Sequence, residues 1–130
     1  MVAVSTVTLF SFKADAPVLA SHITGNVYDQ SDHSSALEGI LVEEIENGKV
    51  LSRQYTNSDG SFDVSVRTIL SNATLRFSDP DYGTYSEQTE SFDLRSSSSC
   101  ENVSVYMSSQ QTEWKSFNRI IIELIRKGDK

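Results

Sequence analysis

Three aspartates, Asp59, Asp79 and Asp81, are the side chains whose type and clustering come nearest to metal chemistry in this sequence. Hard carboxylate oxygens suit calcium, but with Gly60 at the glycine of a twelve-residue calcium loop, Tyr55 stands where the leading aspartate belongs and Val66 where the bidentate glutamate does. Turn chemistry accounts for all three, because short acidic side chains bond the backbone of the turns they sit in. No metal and no cofactor is expected. His22 and His33 are eleven positions apart without cysteine or carboxylate partners at ligand spacing, which gives no zinc site and leaves both as ordinary surface residues. Cys100 is the single cysteine, so no intramolecular disulfide can form. It reads as a buried small hydrophobe or a free thiol, since a nucleophile would need one of the two distant histidines. No Gly-x-Ser-x-Gly elbow, Walker loop or dinucleotide fingerprint occurs, so the expectation is a protein that is not an enzyme. For binding, Tyr82, Tyr85 and Trp114 are the aromatic side chains best placed to anchor a contact, and each suits core or corner packing equally well.

The chain that must position these groups has 130 residues, 38% of them hydrophobic, with a net charge of −7 and a pI near 4.7. Such a charge repels phosphate backbones and anionic lipid, so nucleic acid and membrane surfaces are poor partners. Residues 2–12 are an apolar run too short to span a bilayer, and Ala14-Asp15-Ala16 follows as a small-x-small cleavage pattern. Residues 1–20 therefore read either as the remnant of an export signal or as a first strand, ahead of one domain over 21–127. Asn72-Ala73-Thr74 and Asn102-Val103-Ser104 match the glycosylation sequon, as expected by chance in a chain so rich in serine and threonine.

The elements are strands. Ile23, Gly25 and Val27 alternate with polar residues, and the glycine marks a bulge or a close backbone approach. Residues 30–36 are polar and turn-rich. Ile40 to Glu46 and Lys49 to Tyr55 are extended runs joined by Asn47-Gly48, a hairpin turn pair. Asn57-Ser58-Asp59-Gly60 makes the next turn, and Phe62, Val64 and Val66 form the inner face of the strand after it. Leu75 and Phe77 share a face, residues 79–83 turn, Thr84 to Leu94 supply another strand, and Ser96 to Ser99 form a serine loop. Val103 and Val105 alternate through the strand after that. Over 112–126, Trp114, Phe117, Ile121, Leu124 and Ile125 have helical spacing, while Ile120, Ile122 and Leu124 fit a closing strand, which is favoured.

In sum the pattern is an all-β, antiparallel sandwich of about seven strands. The order Gly25-x-Val27-x-Asp29, Leu37-x-Gly39-Ile40-x-Val42, Thr56-x-x-Asp59-Gly60-x-Phe62 and Ala73 to Asp79 with Asp81-Tyr82-Gly83 resembles the carboxypeptidase-regulatory-like, prealbumin-like (transthyretin-like) β-sandwich family over residues 21–107. Phe77 to Tyr85 looks most like the small lipoproteins that accompany bacterial radical-SAM enzymes, although no lipobox Leu-x-x-Cys stands near the start. The resemblance implies Greek-key topology, a periplasmic, cell-surface or secreted location, and an accessory role. Ureide-hydrolysing members of that fold depend on a histidine set and a C-terminal Tyr-Arg-Gly-Ser, which this chain lacks. The expected function is a non-catalytic envelope module contacting a protein or glycan through loops 30–36, 57–60, 79–83 or 95–100 or through a strand edge. The alternatives are a substrate or carrier for a radical-SAM enzyme, modified at Cys100 or a tyrosine, and a structural spacer.

Overall fold

The computed structural model describes residues 18–110 and Ile125. Trp114, the choice between signal remnant and strand for residues 1–16, and the choice between helix and strand for 112–126 lie outside the described residues, Ile125 apart. Eight strands follow in order: β1 (His22–Asp29), β2 (Asp32–Ala36), β3 (Leu41–Glu46), β4 (Lys49–Tyr55), β5 (Ser61–Ser65), β6 (Asn72–Ser78), β7 (Gln88–Asp93) and, after a 3₁₀ turn (Ser97–Cys100), β8 (Val103–Met107). They form two four-stranded sheets, as an all-β sandwich requires. One has the antiparallel order β4-β3-β6-β7. The other is built on β1, which pairs antiparallel with β5 and β2 and parallel with β8.

The period-two pattern decides which face is inside. Ile23 and Val27 of β1, Phe62 and Val64 of β5, Ala73, Leu75 and Phe77 of β6, and Val105 and Met107 of β8 all turn into one core, joined by Leu37, Ile40, Val42, Phe92, Leu94 and Cys100. Burying each large apolar side chain contributes about 1.5–3 kcal/mol, so the alternation fixes the strand registers. Gly25 is the close approach that the sequence suggests. A β-carbon there would stand 2.1 Å from the Val103 carbonyl oxygen, with the Phe62 ring covering the gap. Only glycine lets β8 lie against β1.

Val27 shows how β2 and β5 share one side of β1. Its N–H donates to the Gly60 carbonyl (2.8 Å), and its carbonyl accepts from the Leu37 N–H (2.9 Å). The two strands meet end to end at Gly60, which has φ +78° and no room for a side chain. Thr56 locks the same corner from a buried position, its hydroxyl donating to the Leu37 carbonyl (2.6 Å) and accepting from the Ile40 N–H (2.9 Å).

Three readings need correction. The segment 30–36 is not all loop, because Asp32–Ala36 is a strand held by the end of β1. The strand expected over Thr84 to Leu94 is confined to Gln88–Asp93, with Tyr85 paired to Ser109 as an isolated bridge. The serine loop closes as a 3₁₀ turn whose last residue, Cys100, is buried.

Candidate functional site

The strand directions bring three of the four expected recognition loops to one end of the sandwich and send the fourth away. At the end where β1 finishes, Asn26 donates to the Asp59 carbonyl of the Thr56–Gly60 corner, Tyr85 just beyond the Asp79–Thr84 turn bonds Asp29, and residues 107–110 bond Gln30, Gly83, Thr84 and Ser86. Loop 95–100 lies at the opposite end, near the start of β1, together with open clefts of about 310 and 610 Å³.

The expected anchors have different fates. Tyr82 is 81% exposed on the Asp79–Gly83 turn, so its ring faces solvent. Tyr85 is half-buried against the core, and its hydroxyl donates to Asp29 Oδ2 at 2.6 Å. Burial, then the bond to Asp29, pushes its hydroxyl up to about 12. Asp29 also accepts the Ser31 hydroxyl (2.6 Å) and amide (2.7 Å). The Ser31 hydroxyl, followed by that of Tyr85, brings its carboxyl down to about 2. Tyr85 is a corner clamp.

Two of the acidic trio are tied into turns, while Asp81 lies exposed on the Asp79–Gly83 turn. Buried Asp79 accepts the Thr84 N–H (2.9 Å) and, more weakly, that of Tyr82 (3.4 Å). Asp59 accepts the Ser61 amide (3.0 Å), and its carboxyl is lowered by the Ser61 hydroxyl and amide together. Among the described residues no group of three His, Cys, Asp or Glu side chains is arranged to hold a metal ion. Burial raises the Cys100 thiol, which lies 3.5 Å from the Asp93 carbonyl. His22 is paired on the surface with Asp63 (2.8 Å).

The composite feature hidden from sequence reasoning is an aromatic ledge. Tyr28 of β1 and Tyr106 of β8 are register partners on the outer face of their sheet, with ring centroids 5.9 Å apart. His33 of β2 reaches over and stacks on Tyr106 at 4.0 Å. Both tyrosines are half-buried and His33 is exposed, so the ledge presents flat ring surface to solvent beside the loop end. Its three residues are 5 to 78 positions apart in sequence. The one usable sign is that Tyr28 and Tyr106 occupy the polar-face positions of their strands, where the alternation asks for no aromatic ring.

One carboxylate in the interior is fully buried. Glu44 faces inward from β3 and accepts the backbone N–H of Arg67 (2.7 Å) and Thr68 (3.2 Å), where the chain crosses from β5 to β6. Glu46 bonds the Thr68 hydroxyl. Glu43, on the other face, is held by the Arg76 guanidinium at 3.0 and 3.1 Å. Glu44 and Glu46 line the 310 Å³ cleft, and their oxygens already hold the crossover. No protein-family model, curated protein or solved structure matches the chain.

Proposed function

We propose that this chain is a non-catalytic β-sandwich module that contacts a protein or glycan partner through the end and face carrying the Tyr28–Tyr106–His33 ledge. The ledge is the observation that carries the reading. Flat aromatic surface set among hydroxyl, amide and carboxylate groups binds sugar faces and peptide side chains alike, and it loses little conformational freedom on contact. Tyr82, on the turn at the same end, extends the surface. The ionisable groups described above are tied into turns, clamps and ion pairs, which supports binding over turnover.

The resemblance to carboxypeptidase-regulatory-like, prealbumin-like sandwiches supports an accessory role, with Greek-key topology the finer form of the fold. The apolar run 2–12 and Ala14-Asp15-Ala16 support export to the envelope, which an intact mass beginning near Pro17, measured on protein from its native host, tests.

The ledge itself is tested with a panel of neutral oligosaccharides and unstructured peptides against the native chain and Tyr106→Ala. We expect a ligand whose affinity falls about tenfold in the variant, the loss of one aromatic contact, with the thermal transition kept cooperative. A ligand bound equally well by both proteins removes the ledge from the account.

A further inference from the structure

The outer edge of β8 is open where much of the outer edge of β5 is not. Parallel pairing with β1 turns the backbone groups of Val103, Val105 and Met107 toward β1, and the Met107 carbonyl accepts the Gln30 N–H at 2.9 Å. Ser104, Tyr106 and Ser108 therefore point theirs the other way. Ser108 is used, since its carbonyl accepts the Ser86 N–H (2.8 Å), and Gln110 donates to the Thr84 carbonyl (2.8 Å). The N–H and C=O of Ser104 and Tyr106 have no backbone partner on that side among the described residues.

Resting on the binding-module reading, we propose that this edge accepts an extended, basic peptide segment of a partner protein as an added strand. Four convergent backbone groups supply main-chain pairing, the form of recognition that an unpaired edge offers. Tyr106 sits on the edge strand with its ring in the ledge, so it is the cross-strand neighbour of the peptide residue laid opposite it. The charge of the occupant follows from the surroundings. Glu101 precedes β8, and Glu87 and Glu90, before and on β7, are exposed, with Ser86 just ahead of them bonded to Ser108 just after β8. Arg95, two residues after β7, is engaged with Asp93 at 3.0 Å. The chain carries −7 in total, so lysine or arginine in the added strand is favoured over acid.

The test titrates a blocked, seven-residue peptide of alternating lysine and valine into the full chain, followed by amide NMR and hydrogen exchange. Protection is expected to rise at the Ser104 and Tyr106 amides. Two further peptides carry N-methyl groups on alternate backbone nitrogens. One of them loses about tenfold in affinity because its donors face β8, and the other does not. Ser104→Pro removes an N–H that β1 does not use, leaves the sheet pairing intact and abolishes binding. Should that variant fail to fold, the methylated pair decides alone. Equal binding of the two methylated peptides, protection confined to other residues, or no binding into the millimolar range each overturns strand addition. If strand addition fails while Tyr106→Ala still weakens an oligosaccharide, the binding-module reading stands without it; if both fail, that reading falls as well.

Discussion

The two outer edges of the β1 sheet are built differently. On the β5 side, four of the six backbone groups that Ser61, Asp63 and Ser65 point away from β1 meet the protein's own side chains and turns. The Asp63 N–H donates to Gln54 Oε1, the Ser65 carbonyl accepts the Ser52 hydroxyl (2.7 Å), the Ser61 N–H donates to Asp59 (3.0 Å), and the Ser61 carbonyl accepts the Asn57 N–H (3.0 Å). On the β8 side, Ser104 and Tyr106 have nothing comparable among the described residues. An edge left unpaired is a liability in a soluble protein, and the first edge shows how this chain manages one. The contrast teaches that the open edge is local. β8 is closed at one end by the Tyr85–Ser109 bridge and preceded at the other by the 3₁₀ turn packed near Asp93, which leaves a window about three residues long.

The closed side has its keystone in Glu44, and removing it produces the largest effect. Glu44→Ala leaves the Arg67 and Thr68 amides without their acceptor and opens a cavity in the interior. The expected cost is about 4 kcal/mol, from two bonds to a buried carboxyl acceptor and the lost packing. A urea midpoint that barely moves would show that water replaces the carboxylate at no cost and that the crossover is not what closes this side. Gln54→Ala is gentler. It uncaps the exposed Asp63 N–H alone and costs less than about 1 kcal/mol. Its value lies in the comparison: if capping is what separates the edges, the lysine–valine peptide now protects the Asp63 amide too. Protection restricted to Ser104 and Tyr106 in that variant would mean that sterics, not hydrogen bonding, close β5.

Much of this architecture is legible in sequence because it rests on local rules. Phe62 and Val64 alternate with exposed neighbours, Asn47 and Gly48 both adopt positive φ in the hairpin turn, and Gly25 sits where a second backbone presses in. The rest depends on partners far along the chain. β2 is Asp-His-Ser-Ser-Ala, with little intrinsic preference for a strand, and it is extended because the end of β1 offers it pairing. The ledge needs residues 28, 33 and 106 together, a juxtaposition that only parallel β1–β8 pairing makes. Of the anchors chosen from sequence, Tyr82 keeps its exposure and Tyr85 turns inward, a division that turn spacing alone does not reveal. Glu44 did carry a signal, an acid at the inward position two after Val42. Alternation marks such a residue as buried, and burial obliges it to find donors.

The smallest effect is the most specific. Tyr85 ties the β6–β7 connection, whose Thr84 and Ser86 close the end of the β8 edge, to Asp29 at the end of β1. In Tyr85→Phe the Asp29 carboxyl moves up from about 2 part of the way to its ordinary 3.8, because the Ser31 hydroxyl, its strongest donor, remains. A carboxyl held low in the folded state stabilises the fold above its unfolded value and stops doing so as it is protonated. The stability difference between native chain and variant is therefore full at neutral pH and shrinks between pH 3.8 and about 2. At the alkaline end the sign reverses. The Tyr85 hydroxyl is raised from 10.0 to about 12, so its contribution holds below pH 10.0 and is lost as the pH climbs toward about 12. Denaturation of both proteins across this range, with the Asp29 carboxyl followed by NMR, reads both limbs. A difference that stays constant down to pH 2 would make the Tyr85 ring, rather than its hydroxyl, the fastener of that corner, and the end of the β8 edge would then be closed by packing alone.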